Sequence, residues 1–186
     1  LVRVDEPTTQ PVDVILIPDL SRAKLFPNQH YQLAKVNHVL TSTIRLPEGC
    51  TLDATGATIE FIGKDWSAAI GVNGVTGATL IGGTWTLGKL NMVVDSSKAN
   101  WFEMRDVHLI DGGGLIQARG ASNMLIENCI AEIVERNFIY FGDSPSNDIT
   151  IRNVKLIDGS RAESGIRIHR TTNLLIEASD IRATRS

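Results

Sequence analysis

Residues 147–159 read "NDITIRNVKLIDG", and residues 100–112 read "NWFEMRDVHLIDG". At a constant offset of 47 residues, Asn falls on Asn, Arg152 on Arg105, Asn153 on Asp106, Val154 on Val107, and Leu-Ile-Asp-Gly on itself. A line written twice calls for a repeat search before any motif is weighed. The anchor of each unit is the apolar residue that precedes a polar residue and then Asn, Asp or Gly. These anchors are Ile81, Met104, Ile126, Ile151 and Ile176, at spacings of 23, 22, 25 and 25 residues. The two copies therefore stand two units apart, with "SNMLIENCIAEI" as the less faithful copy between them.

Each unit carries short segments that alternate apolar and other residues at period two, the signature of strands. One is the anchor strand (148–152), a second follows the polar pair (154–157), and a third closes the unit (114–120, 137–143, 164–170). Gly or Asn interrupts every would-be helix. The Leu-x-x-Leu-x-Leu pattern of leucine-rich repeats is missing, with Ile and Val in those places. A period near 23 with up to three short strands describes a parallel β-helix, whose equivalent strands stack about 4.8 Å apart with right-handed crossovers. Asp106, Asn128 and Asn153 are then expected to form a polar ladder at one turn, with Gly83 in the same place one coil earlier and Ala178 breaking it. An unusual backbone conformation there suits Asn and Gly. Val107, Cys129 and Val154 form an apolar stack. Most of the opening line is thus scaffolding: Ile149, Ile151, Val154 and Leu156 fill the bore, and Asp158-Gly159 turns the chain.

Residues 1–41 read as an N-terminal cap and lead-in strands, with Pro27 and weak helical periodicity in 22–40. Residues 42–186 read as β-helix coils. A solenoid end exposes unpaired backbone and an open core, so it needs a cap. "NLLIEASDIRATRS" holds the first strand of a coil and then stops, from which continuation in a longer chain, or a homo-oligomer such as a trimer covering that end, is expected.

The 18 basic and 21 acidic residues are interspersed and leave a net charge of −3. A nucleic-acid or anionic-membrane partner favours a basic face, and no apolar run approaches a membrane span. Cys50 and Cys129 lack metal-ligand spacing and read as two buried thiols. "DGGGL" (111–115) lacks the Gly-Lys-Ser/Thr of a phosphate loop. The four histidines are too scattered in sequence for a zinc site.

Three stretches carry a family resemblance: "LPEGCTLDATGATIEFIG", "SNDITIRNVKLID" and "SGIRIHRTTNLLIEASDI". The chain from about residue 40 onward resembles the pectin-lyase-like right-handed β-helix superfamily. The lead-in from Tyr31 to Gly49, "Tyr-x-Leu … Thr-Ile-x-Leu-Pro-x-Gly", is similar to those of phage tailspikes and secreted polysaccharide lyases. The resemblance implies an all-β, right-handed parallel β-helix at an extracellular, cell-surface or virion location. It also implies a polysaccharide as partner. Members include hydrolases, lyases and non-catalytic adhesins, so fold alone does not choose the activity. The polygalacturonase set (Asn-Thr-Asp, Asp-Asp, Gly-His-Gly, Arg-Ile-Lys) is absent, "IRIHR" (166–170) only echoing its last element. The Asp-Pro-His-Asp signature of alginate epimerases is absent too. The functional expectation is a carbohydrate-active β-helix that binds and cleaves an extracellular polysaccharide, as hydrolase or lyase. The alternative is a non-catalytic scaffold or adhesin segment.

On a β-helix, outward residues of stacked strands form columns along the axis. Aligning the closing strands puts Ile116/Ala118, Ile139/Phe141 and Ile166/Ile168 inward. Gln117, Tyr140 and Arg167 then stack outward, with Arg119 and His169 beside them. A ring can lie on a sugar face and Arg can pair with a uronate carboxylate. Gln117, Arg119, Tyr140 and Trp101 are accordingly the expected substrate-binding residues, Trp101 being the Trp expected to meet ligand. A glycoside hydrolase needs two carboxyl groups in different protonation states, and Glu135, Asp143 and Glu163 are the candidates. In a lyase, Arg167 or His169 takes the proton α to a carboxylate. No cofactor is required by the hydrolase reading, whereas the lyase reading invites Ca²⁺ held by acids. Asp111 and Asp158, each before a Gly, read as turn residues.

Overall fold

The computed structural model describes residues 13–182. Its strands form three all-parallel sheets of eight, seven and six strands, and the chain visits them in that order once per coil. One coil runs through Ser122–Glu127 on the eight-stranded sheet, Ile130–Val134 on the seven-stranded sheet and Asn137–Phe141 on the six-stranded sheet. The next begins at Ser146–Arg152. This is a parallel β-helix. Among the described residues its only helical turn is the 3-10 turn Leu20–Arg22.

The lead-in is already part of the sheets. Val14–Ile17 pairs with His30–Leu33, and Asn37–Leu40 pairs with Thr58–Phe61. The weak helical periodicity of 22–40 is therefore overridden by strand pairing, and the sheets show no break between residues 41 and 42. Residues 1–12, at the start of the expected cap, and 183–186 lie outside the described residues.

Backbone conformation explains the Asn and Gly punctuation. Gly82, Asp106, Asn128, Asn153 and Ala178 all have φ between +49° and +67°, the left-handed region that Gly and Asn enter at least cost. Asn153 donates its side-chain amide to Asn128 Oδ1 at 2.8 Å, which makes one rung of the expected ladder. The place assigned to Gly83 belongs to Gly82. Leu80, not Ile81, pairs with Met104, and Ile81 pairs with Arg105. Gly83 instead occupies the level of the Val107, Cys129 and Val154 stack. A Cβ on it would stand 2.7 Å from the indole nitrogen of Trp85. Trp85 fills the bore space that Gly83 leaves, is fully buried, and donates its N–H to Gly82 O at 3.1 Å. It lies in an inward column with Ile59, Leu109, Ala131 and Leu156.

Cys129 and Cys50 are unpaired, buried thiols. Desolvation pushes Cys129 up to about 12 and Cys50 up to about 11, as expected of core thiols.

The recurrence of Arg105 as Arg152 two coils later has an electrostatic cause. Arg105, Glu127, Arg152 and Glu177 are successive members of one outward column. Arg105 donates to Glu127 at 2.9 Å and Arg152 donates to its other oxygen at 2.7 Å, while Arg152 reaches Glu177 at 3.6 Å. Like charges directly opposite on neighbouring strands repel, so basic lines must alternate with acidic ones. Glu127 is only 13% exposed and serves two guanidinium groups. Glu127→Ala leaves both arginines without it and is expected to lower stability by about 1–2 kcal/mol, between the exposed and buried ion-pair cases. Urea denaturation checks this, and a loss below about 0.3 kcal/mol contradicts it.

Candidate functional site

The outward column expected from the sequence is present on the six-stranded sheet. Gln117 pairs with Tyr140 and Tyr140 with Arg167. The column extends back through Asp95 and Gly71 to Arg45. Behind it, Ile116, Ala118, Ile139 and Phe141 are buried, and Ile166 and Ile168 are partly so.

The strands depart from period two in one respect. Leu115-Ile116 and Phe138-Ile139 are consecutive buried residues. Met92 and Asn137, whose strand neighbours run on to such pairs, line the same groove as Gln117 and Tyr140. Strict alternation cannot place both positions on one face, which is why Met92 and Asn137 escaped the sequence reading.

This groove, about 140 Å³ in volume, is walled by Trp66, Arg119, Arg136, Tyr140 and Arg167. A second hollow of about 250 Å³, lined by Arg45, Gly71, Asn73 and Asp95, lies over the earlier coils of the same sheet. Trp66 and Arg136 were not expected. Trp66 is 63% exposed, and the Arg136 guanidinium lies 3.8 Å from its ring centre, a cation–π stack. Arg136 Nε is buried and has no hydrogen-bond partner, and its nearest acid, Glu163, is 3.9 Å away. Between the two coils, Gly113 and Gly114 keep the corner bare: a Cβ on Gly113 would stand 2.7 Å from Asn91 O, and one on Gly114 would overlap the Asn137 carbonyl. The "DGGGL" motif is thus a packing requirement.

Arg167 also lacks a carboxylate partner among the described residues. Its Nε donates to His169 Nε2 at 3.1 Å, and its guanidinium lies 5.8 Å from the Tyr140 ring centre. The Tyr140 and His169 rings meet edge to face at 6.1 Å. With its amide oxygen turned toward Arg119, Gln117 accepts from that guanidinium at 2.8 Å. Arg119 Nε donates to Asp143 at 2.8 Å, and the Tyr140 hydroxyl donates to Asp143 at 3.3 Å.

Asp143 is therefore inside the cluster. Glu135 is not beside it: the two acids flank Asn137–Phe141, a strand about 13 Å long at 3.3 Å per step. Glu135 is bridged to Arg161 at 3.0 Å and to Lys89 at 3.9 Å. Glu163 is on the Glu135 side, by Arg136. Each acid is held by a cation at its own end of the strand, so the chain does not present Glu135 and Asp143 as a ready two-carboxylate pair. Among the described residues, no three His, Cys, Asp or Glu side chains gather closely enough to hold a metal ion.

Trp101 is placed elsewhere. It is 61% exposed and lines a separate groove with residues of the eight-stranded sheet, away from Tyr140. The corner that carries it precedes strand Glu103–Arg105, so its ring faces the next sheet round. Asp158 does make a turn, accepting from the Ser160 N–H at 2.9 Å, and hydrogen bonds from Ser160 lower its carboxyl below the usual range. Asp111, expected to do likewise, lies within strand His108–Gly112, just after a bulge that follows Leu109.

No family model matches the chain, and no curated protein matches it. Among solved structures it is similar to the crystal structure of a "putative glycosyl hydrolase" from Parabacteroides merdae ATCC 43184. The TM-score is 0.47 at 11% sequence identity, over 78% of this chain and 80% of that one.

Proposed function

We propose that this protein is a carbohydrate-active β-helix that binds an acidic polysaccharide along the outer face of its six-stranded sheet. The observation that carries the reading is a pair of guanidinium groups, Arg136 and Arg167, that face one groove with only Glu163, 3.9 Å from Arg136, as a bridging carboxylate, beside the exposed Trp66 and the half-buried Tyr140. Arginine's planar fork matches a carboxylate, and Trp66 and Tyr140 offer faces to sugar rings. The ligand is a uronate-containing chain outside the cell or virion.

The reaction that suits these groups is β-elimination. Arg167 pairs with the uronate carboxylate and stabilises the charge that builds there as the adjacent C–H is broken. His169 takes that proton through Nε2, exchanging its bond from Arg167 for one to substrate. The C–H electron pair becomes a carbon–carbon double bond, the glycosidic C–O bond breaks, and the departing oxygen takes a proton from water. Hydrolysis has less support, because the acids sit in ion pairs at opposite ends of a strand. The non-catalytic reading keeps one specific observation in its favour: the Tyr140 hydroxyl and His169 Nε2 are both already engaged.

Incubation with polygalacturonate, alginate and a glycosaminoglycan separates the cases. Elimination yields products whose new double bond absorbs in the ultraviolet, and His169→Ala is expected to slow their release at least about 100-fold. New reducing ends without that absorbance point to hydrolysis and overturn the assigned chemistry. Retention on a polyuronate column with no products supports the adhesin reading, and no retention overturns the groove assignment.

A further inference from the structure

The eight-stranded sheet carries a second groove that the reading above does not use. Its wall is Trp101, which has φ +55° at a corner where the other coils place Gly49, Gly77, Asn123, Asp148 and Asn173, all left-handed. Of these residues Trp101 alone has a large side chain. Left-handed backbone costs a residue with a Cβ about 1 kcal/mol or more, and such positions persist where function holds them. Core packing does not explain the indole, which is 61% exposed.

The groove beside it, about 390 Å³, crosses the strands in the direction of the solenoid axis. Its floor is the outward column Glu103, Leu125, Thr150 and Leu175. Along one side run amide and carboxylate rungs: Asn123 donates to Asn100 at 2.9 Å and Asn173 donates to Asp148 at 2.8 Å. Along the other side run Arg152 and Glu177, the end of the alternating charge ladder.

Charge distinguishes this surface from the first. Arg152 is bridged to Glu127 and Glu177. Asp148 accepts from Asn173 and Asn147, which hold its carboxyl below the usual range. Arg152, the one guanidinium in the lining, is engaged by carboxylates, so the groove has no spare positive charge for an anionic ligand. It does offer planar amide, carboxylate and guanidinium groups at strand spacing, which hydroxyl pairs can bridge, beside an indole face and the half-exposed Leu175.

We infer that this groove is a second glycan-binding site, one that takes a neutral, hydroxyl-rich polysaccharide lying along the axis with a sugar ring on Trp101. The inference is independent of the acidic-glycan reading and concerns a different face of the coil.

Affinity electrophoresis tests it, in gels containing a soluble β-glucan, a galactomannan or soluble starch, with a polyuronate gel run in parallel. The wild-type chain is expected to be retarded by at least one neutral polymer. Trp101→Gly and Trp101→Asn are expected to weaken that retardation at least tenfold in apparent affinity. Both write the residue type of the neighbouring coils and relieve the left-handed strain. They are therefore expected to leave the thermal midpoint unchanged or raised, and retardation by polyuronate unchanged. Trp66→Ala is expected to keep neutral-polymer binding. Absence of retardation by every neutral polymer, or equal retardation of the Trp101 variants, overturns the proposal. A Trp101-dependent interaction with protein ligands only overturns it in favour of a protein-docking surface.

Discussion

Trp85→Ala is expected to destabilise the protein by about 4 kcal/mol, within the 3–5 kcal/mol range for large aromatic truncations in cores. Trp85 is fully buried, and its indole fills the bore volume left by Gly83. Truncation therefore opens a void that Gly83, having no side chain, cannot help to fill. The Gly82 carbonyl also loses its indole donor, and an unpaired buried acceptor adds its own cost. Its column neighbours Ile59 and Leu109 are themselves fully buried, so relaxation is limited by packing on both sides. Equilibrium denaturation measures the loss. A value below about 1.5 kcal/mol would show that the bore collapses around this level. The exposed Trp101 offers the contrast: the same residue type at a corner is expected to be dispensable for folding.

The second large effect separates function from stability. Arg136→Met is expected to weaken binding of a polyuronate about 10- to 100-fold, the equivalent of losing one hydrogen-bonded charge contact of roughly 1.5–3 kcal/mol. Isothermal titration at low and moderate salt reads it, and the wild-type affinity is expected to fall more steeply with salt than the variant's. Stability is expected to stay within about 0.5 kcal/mol of wild type or to rise. A buried guanidinium nitrogen without a partner is a cost that a thioether of similar reach removes. The substitution does surrender the stack on Trp66, worth about 0.5–1 kcal/mol at an exposed ring, and this sets the lower bound of the expected stability. A variant that folds less well and binds equally would identify Arg136 as a structural residue and remove the support for the acidic-glycan groove.

The ion pairs give the same lesson from the other direction. Arg105, Glu127, Arg152 and Glu177 neutralise each other along one column, so they contribute to the stacking of coils and leave no charge for a ligand. By the six-stranded sheet, Arg167 has no carboxylate partner among the described residues, and Arg136 has Glu163 at the long distance of 3.9 Å. Two faces of one solenoid thus differ in what they can recognise because one ladder is complete and the other is not.

By itself the sequence determined the periodic parts of this protein. Strand alternation and the recurrence of "RNVKLIDG" and "RDVHLIDG" define coils. Asn and Asp after the anchor strand mark left-handed corners, and the closing strands put Gln117, Tyr140 and Arg167 in one outward column. Each of these depends on contacts one coil apart, at a nearly regular distance, 22–25 residues from anchor to anchor, so a single line of text contains them. The tertiary structure alone decided what depends on the corners. Corner lengths vary from coil to coil, and the period then says nothing about height or direction. Trp66 and Arg136 meet across corners of unequal length, over a gap kept open by Gly113 and Gly114. Trp101 turns to the eight-stranded sheet because its corner leads into strand Glu103–Arg105, and the two-glycine corner moved the register of Leu80 by one residue. Side-chain pairing across coils also decided which charges are spent internally. That sum over neighbours on both sides of a strand requires the stacked coils to be in place.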